Sequence, residues 1–93
     1  MKPKPSKLKV YGGSCCYHMG KQYYGFVATT SQVEAAKLFH VSLYYFRQYC
    51  GENFNARNSI IALNEPGVIF VEMERYAEYP EIRRWEDVKN AKR

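Results

Sequence analysis

The stretch that decides the fold is QVEAAKLFHVSLYYFRQYCG, residues 32–51, whose apolar residues follow a helical period on either side of a short interruption. Thr30 or Ser31 is placed to cap its first helix, and Glu34 lies three residues after Ser31, as in a helix-capping box. The interruption covers residues 40–42, where Ser42 is placed to cap a second helix. The stretch therefore predicts two short helices joined by a tight turn, with the spacing of a helix-turn-helix.

This spacing divides the hairpin into a buried side and an exposed side. The positions expected to be buried are Ala35, Phe39, Val41, Phe46 and Tyr49. The candidate binding face of the second helix consists of Ser42, Leu43, Tyr44, Arg47 and Gln48. Arginine reads guanine and glutamine reads adenine in the major groove, so this face is one that could recognise DNA.

Three features favour the alternative, a helical hairpin that only packs on a sheet. His40 occupies the turn position usually taken by glycine, and a histidine adopts a left-handed conformation less easily. Leu43 and Tyr44 stand where polar base contacts are expected. Arg47 is the one cation of the second helix. The two alternatives, DNA recognition and structural packing, stay open at this point.

The residues before the hairpin predict two strands. Residues 7–11 alternate between polar and apolar, and Gly12-Gly13 is expected to end this first strand. A loop through Gly20-Lys21 then leads to an aromatic and β-branched stretch at residues 22–29, which predicts an antiparallel second strand.

The residues after the hairpin predict a helix, a strand and a further helix. The third helix starts at Asn53 or Asn55 and carries Ile60, Ile61 and Leu63. Residues 68–73 form the strongest strand, expected in the middle of the sheet because both of its faces are apolar. Pro80 is suited to begin a last helix, with a stripe formed by Ile82, Trp85 and Val88.

Together these elements predict an α+β fold, a small antiparallel sheet in the order β-β-α-α-α-β with helices on one face. The chain of 93 residues has room for one core. We expect a flexible basic tail at residues 1–6, a single α+β domain at 7–79, and a basic C-terminal segment at 80–93 that is suited to form a helix.

The net charge of +5 is unevenly distributed. Residues 1–9 carry four lysines and no acidic residue, and residues 82–93 carry a net charge of +3. Residues 10–81 have five basic and seven acidic residues, so the folded body is slightly acidic and the pI is a weak indicator of DNA binding. The cations placed to act as basic tails are Lys2, Lys4, Lys7, Arg83, Arg84 and Lys89.

Cysteine and histidine side chains suggest neither a metal site nor an enzyme. The soft ligands are Cys15, Cys16, His18, His40 and Cys50, and none forms a Cys-x-x-Cys pair. No motif supports a Cys–His nucleophile, and Gly12-Gly13-Ser14 lacks the rest of a phosphate-binding loop. We therefore expect no cofactor, no metal and no catalytic activity.

The odd number of cysteines and the absence of an apolar span suit the cytoplasm. Three cysteines, two of them adjacent, form no disulfide framework and favour a reducing compartment. The basic first residues lack the apolar region of a leader, and no apolar run approaches the length of a membrane span.

The tyrosines supply a second candidate for binding. Residues 44 and 45 are about 100° apart on a helix, so we expect Tyr44 to be exposed and Tyr49, with Tyr45, to lie toward the core. Exposed tyrosine is favoured at protein interfaces and where bases stack. Tyr11, Tyr23 and Tyr24 are expected to pack across strands.

Three segments resemble small uncharacterised accessory proteins encoded by bacteriophages and prophages. They are Val27-Ala-Thr-Thr-Ser-Gln-Val-Glu-Ala-Ala, Val41-Ser-Leu-Tyr-Tyr-Phe-Arg-Gln-Tyr and Pro66-Gly-Val-Ile-Phe, within residues 8–73. The resemblance is one of pattern and carries over no site residue. It implies a role during infection in the host cell cytoplasm, as a regulator or as an inhibitor of host machinery or antiviral defence.

Three functions follow as hypotheses. The first is a non-enzymatic protein that binds a host protein or nucleoprotein complex, with self-association through the aromatic surface left open. The second is a helix-turn-helix DNA-binding regulator whose basic tails contact phosphate. The third is a nucleotide-binding sponge, in which Tyr44 or Tyr24 stacks on a base and Arg47 or Arg57 binds phosphate.

Overall fold

An antiparallel sheet forms the centre of the protein in the computed structural model, which describes residues 8–53, 55–74 and 78–90. Among these residues the strands lie in the order β3-β1-β2-β4-β5. The elements along the chain are β1 (Lys9–His18), β2 (Lys21–Thr29), α1 (Gln32–Phe39), α2 (Leu43–Tyr49), β3 (Cys50–Glu52), α3 (Ala56–Asn64), β4 (Phe70–Glu72), β5 (Ile82–Arg84) and α4 (Trp85–Asn90). The predicted α+β class is confirmed, as is the packing of the α1–α2 hairpin on one face of the sheet.

Helices cover both faces of the sheet, because its central strands are apolar on both sides. On β2, Phe26 and Val27 point to opposite faces and both are completely buried. Val27 packs in a core cluster with residues of α1, α2 and α4, whereas Phe26 packs in a second cluster with Ala62 of α3. The expectation that helices cover one face alone is therefore wrong, since α3 buries the other.

Strand β1 continues through the two glycines that were expected to end it. A Cβ atom at Gly12 would come within 2.7 Å of the Gly25 carbonyl oxygen, and one at Gly13 would overlap the Cys50 side chain. The glycines therefore allow close approach of neighbouring groups within the sheet, rather than a turn. The chain instead turns at Met19-Gly20, and the strand register shifts between Gly13 and Cys16 at a bulge.

The C-terminal residues 82–90 extend the same sheet and core. β5 pairs with β4 where the sequence predicts helix, and α4 begins at Trp85, later than Pro80. β4 is consequently the second strand from the edge, and β2 takes the central place expected for residues 68–73. Both faces of β4 are nevertheless apolar, as predicted, with Phe70 in one cluster and Val71 in the other.

Side-chain caps and one left-handed residue fix the α1–α2 hairpin. Ser31 accepts a hydrogen bond from the Glu34 amide, and Ser42 accepts one from the Tyr45 amide, so both predicted caps are confirmed. His40 adopts φ 62° and ψ 41°, and Val41 N–H donates to the Ala36 carbonyl, which is the Schellman pattern. His40 thus takes the conformation usually left to glycine, contrary to the objection raised from the sequence.

The remaining predictions concern the N-terminal residues, the third helix and membrane-spanning helices. Residues 1–6, expected to form a flexible tail, lie outside the described residues. The third helix begins after its cap at Asn55, one of the two residues named for it, and its side chains Ile60 and Leu63 are exposed. No helix within the described part of the chain has the length and apolar character needed to cross a bilayer.

Candidate functional site

Helix α2 is attached to the sheet through one side and leaves the rest of its surface open. Phe46 at its centre is completely buried and lies edge-on to Tyr11 of β1. Leu43 is one turn earlier on the same stripe, and it is half-buried against the core cluster rather than exposed as expected. Of the predicted binding face, the exposed residues are Ser42, Tyr44, Arg47 and Gln48.

Tyrosines occupy much of the exposed part of α2. Tyr44 is 76% exposed and Tyr49 is 63% exposed, so the expectation that Tyr49 is buried is wrong. The reason is helical geometry, since a helix of seven residues centred on Phe46 places Tyr45 and Tyr49 on its flank. Their rings lie 4.8 Å apart, with Tyr45 half-buried and Tyr49 toward solvent.

Tyr17 of β1 adds to this flank from the sheet. Its side chain is 64% exposed. The pKa of Tyr45 is raised, mainly by partial burial. Electrostatic interactions raise it further, and they come from Cys15, Tyr17, Cys50 and Tyr49. These groups therefore lie within electrostatic range of the Tyr45 hydroxyl, and the Tyr49 ring contacts the Tyr45 ring directly. We call Tyr17, Tyr44, Tyr45 and Tyr49 the tyrosine surface.

The β1–β2 turn exposes a further apolar side chain. Met19 has φ 53° and Gly20 has φ 80°, the positive values that a type I′ hairpin turn requires at both central positions. Met19 is 86% exposed. A methionine is poorly suited to a positive φ, and its exposed side chain gains no burial in return. Met19 therefore lowers the free energy of unfolding without contributing to the packing of the fold.

Arg47 and Ser42 are partly engaged within the protein. The Nε of Arg47 donates to Gln32 Oε1 across the hairpin at 3.4 Å, and the Ser42 hydroxyl caps α2. Gln48 is exposed, and α2 carries no acidic residue in its first turn. The predicted DNA-binding face therefore presents one cation, beside the larger area of the tyrosine surface.

The C-terminal cations have local partners. Arg83 bonds Glu81 at 2.7 Å, and Arg84 bonds Glu65 at 2.6 Å. These hydrogen bonds raise the pKa of both arginines. Lys89 lies 5.7 Å from the centre of the Trp85 ring. Lys2, Lys4 and Lys7 lie outside the described residues.

A polar pocket of about 340 Å³ lies beside α3 and was missed by sequence reasoning. Asn58, which is buried, donates to Glu72 at 3.1 Å, and Arg57 donates to the Pro80 carbonyl at 2.9 Å. Tyr24, proposed to stack on a base, has its hydroxyl bonded to Asn53 at 2.6 Å. The carboxylates of Glu72 and Glu78 line the pocket and disfavour a phosphate near Arg57.

A thiol pair connects β1 with the C-terminal end of α2. Cys15 Sγ and Cys50 Sγ are 3.4 Å apart. The pKa of Cys15 is raised to about 12, mainly by a hydrogen bond with the Cys16 thiol and by burial. The hydrogen bond with Cys50 lowers the pKa of Cys15 but does not offset these two effects. The hydrogen bond to Cys15 and burial raise the pKa of Cys50 as well. Protonated thiols are poor nucleophiles at neutral pH, which disfavours a Cys–His catalytic pair.

The histidines lie apart in different settings. The His18 ring packs edge-on against Trp85 at 6.2 Å, while His40 is exposed at the α1–α2 turn. Within residues 8–53, 55–74 and 78–90, no three side chains of histidine, cysteine, aspartate or glutamate are grouped so as to hold a metal ion.

Comparison of the chain with protein-family models, with curated proteins and with solved structures finds no match.

Proposed function

We propose that this protein binds another protein through the tyrosine surface and the adjoining β1–β2 turn, without catalysing a reaction. The observation that carries the proposal is the exposure of Tyr17, Tyr44 and Tyr49 around the half-buried Tyr45. Large exposed side chains of this type lose water on binding and are enriched where protein partners bind tightly.

The charges of α2 favour a protein partner over nucleic acid. Affinity for a phosphate backbone comes mainly from several cations on one face. Arg47 is the cation that α2 contributes, and it bonds Gln32. Arg83 and Arg84 are paired with carboxylates elsewhere on the fold. A tyrosine-rich surface with few charges matches the composition of a protein interface core.

The partner proposed is a host protein or nucleoprotein complex, as the resemblance to phage accessory proteins implies. A protein that inhibits host machinery or antiviral defence by occluding a surface acts stoichiometrically. Such a protein needs a complementary surface rather than an active site, and the tyrosine surface supplies one.

Recognition of duplex DNA is the second candidate, and one observation favours it. His40 adopts the left-handed conformation of a helix-turn-helix turn, and α2 then presents Tyr44, Arg47 and Gln48 together to solvent. This function requires that binding weaken steeply with salt.

The test is capture of partners from a bacterial host lysate by the immobilised protein, with and without nuclease. The double variant Tyr44→Ala/Tyr49→Ala removes two rings of the tyrosine surface. Tyr79→Ala is the matched control, because Tyr79 is 76% exposed, the same fraction as Tyr44, but lies beside the polar pocket of α3.

We expect wild type and Tyr79→Ala to retain the same nuclease-resistant protein and the double variant to lose it. Retention of that protein by the double variant would overturn the proposal. Capture that disappears after nuclease treatment and on Arg47→Ala would replace the proposal with DNA recognition.

A further inference from the structure

We propose that Cys15 and Cys50 form a disulfide when the protein meets a small disulfide such as oxidised glutathione, with Cys50 reacting first and Cys15 completing the bond. This modification site concerns the protein's own thiols and goes beyond the proposed binding function. It does not depend on the identity of any partner.

Strand pairing brings the two thiols together. Cys50 is opposite Gly13 in the β1–β3 pair, and Cys15, two residues after Gly13 on β1, lies on the same face of the sheet. Because Gly13 has no Cβ atom, the Cys50 side chain lies directly against β1, where a side chain at position 13 would overlap its sulfur. The sulfur atoms are 3.4 Å apart, so a small side-chain movement brings them to the bonding distance of about 2.0 Å.

The two thiols differ in their access to solvent. Cys50 is half-buried and caps the C-terminal end of α2 at the start of β3, an edge strand. Cys15 and Cys16 are buried. A reagent in solution therefore meets Cys50 first, and Cys15 is the neighbour placed to react with it.

The chemistry consists of two thiol–disulfide exchanges. Cys50 loses its proton, and its thiolate attacks one sulfur of oxidised glutathione, which forms a mixed disulfide and releases one glutathione thiolate. Cys15 then loses its proton and attacks the Cys50 sulfur, which forms the Cys15–Cys50 bond and releases the second glutathione. The two cysteine thiols are oxidised, and the two released thiolates take up the two protons.

The bond would connect β1 to the end of α2. It closes the loop of the chain between Cys15 and Cys50, which contains β2, α1 and α2. Cys50 directly follows Tyr49 as the C-cap of α2, so oxidation attaches the end of the helix that carries Tyr45 and Tyr49 covalently to β1. Reduction by a thiol returns the free form.

The test treats the folded protein with oxidised glutathione, blocks free thiols by alkylation and determines masses of the intact protein and its peptides. Variants Cys15→Ser, Cys50→Ser and Cys16→Ser are compared. Cys16→Ser is the matched control, because Cys16 is adjacent to Cys15 and is also buried but is not the thiol paired with Cys50.

We expect wild type and Cys16→Ser to lose two hydrogen atoms and to link the peptides of Cys15 and Cys50. Cys15→Ser is expected to stop at one glutathione on Cys50, and Cys50→Ser to react at least tenfold more slowly. Fragmentation of the linked wild-type peptide assigns the bond to Cys15 or Cys16, even where a variant fails to fold.

Two results would overturn the proposal. One is a bond that forms in Cys15→Ser but not in Cys16→Ser. The other is a folded wild-type protein that stays unlinked after prolonged incubation at about pH 9 with excess oxidised glutathione, because the raised pKa values of the thiols slow the reaction without preventing it. Neither result bears on capture by the tyrosine surface, so the two proposals fail separately.

Discussion

The ring of Phe46 meets the ring of Tyr11 edge to face, with their centres 5.9 Å apart. This contact joins α2 to β1, and Phe39 of α1 stacks against the same phenylalanine at 6.4 Å. Phe46 is the completely buried residue of α2, so it is the main side chain that holds the tyrosines of α2 in place, with the half-buried Leu43 packing beside it.

Replacing Phe46 by alanine is therefore expected to lower the free energy of unfolding by about 3–5 kcal/mol, because a large cavity would remain in the core. Urea unfolding followed by circular dichroism measures the change. Tyr44→Ala, at a side chain that is 76% exposed, is the control and should change the stability by less than about 0.5 kcal/mol. A loss below about 1 kcal/mol for Phe46→Ala would contradict the packing described.

Tyr24→Phe is expected to destabilise the protein by about 1–3 kcal/mol, since it removes the oxygen that pairs with the buried amide of Asn53. Asn53 Oδ1 also accepts a hydrogen bond from the Asn55 amide, just before α3. Chemical denaturation provides the measurement, and Tyr79→Phe, at an exposed position, provides the control. Equal stability of the two variants would show that the Tyr24 hydroxyl is not needed.

Ser42→Ala is expected to cost about 1 kcal/mol, because α2 would lose the oxygen that accepts from the Tyr45 amide. Ser42→Asp retains an acceptor at the same place and should stay close to wild type. Thermal unfolding of the three proteins compares them. If Ser42→Asp were as unstable as Ser42→Ala, the cap would not be the cause.

Met19→Asn is expected to change stability and partner capture in opposite directions. Asparagine tolerates a positive φ better than methionine and precedes glycine in favoured type I′ turns, so the variant should gain about 0.5–1 kcal/mol. If the exposed Met19 side chain contacts the partner, the same variant should capture less of it. A variant that is both less stable and unchanged in capture would contradict both parts.

The rate of disulfide formation is expected to rise about tenfold for each pH unit from about pH 7 to about pH 9, because only the thiolate attacks. The pKa of Cys15 is raised to about 12 and that of Cys50 is also raised, so the rate should not level off in this range. Quenched alkylation and mass measurement follow the reaction. In urea, where both thiols regain the ordinary pKa of 9.0, a series extended to about pH 10.5 should show the rate levelling off above about pH 9. A plateau at neutral pH in the folded protein would contradict the raised values.

The same raised pKa values determine how the free energy of unfolding changes with pH in the alkaline range. Both folded-state values lie above the unfolded value of 9.0, so the stabilising contribution of the protonated thiols is complete below about pH 9 and declines as pH rises further. The double variant Cys15→Ser/Cys50→Ser should lose less stability between about pH 8 and about pH 10 than wild type. Equal losses would count against a thermodynamic role of the pair.

Local sequence signals determined much of the secondary structure. Ser42 was identifiable as a cap, and Ser31 was one of two candidates beside Thr30, because a hydroxyl just before a helical apolar period is a typical N-cap. The exposure of Ser42, Tyr44, Arg47 and Gln48 was also predicted, whereas the burial of Leu43 and of Tyr49 was predicted wrongly. The burial of Leu43 and Tyr49 depends on how α2 is turned about its own axis when Phe46 packs on the sheet. That angle is not predictable from the sequence of a short helix with apolar residues on several sides.

The sequence by itself determined the α+β class, the two caps and the position of the α1–α2 turn, because those features depend on residues within one or two helical turns of each other. Only the tertiary structure decided that Gly12 and Gly13 lie inside β1, that β5 replaces the start of the last helix, and that α3 covers the second face. It also brought Cys15 and Cys50 together and exposed Tyr49. These outcomes depend on strand partners distant in the chain, whose packing outweighs local preference.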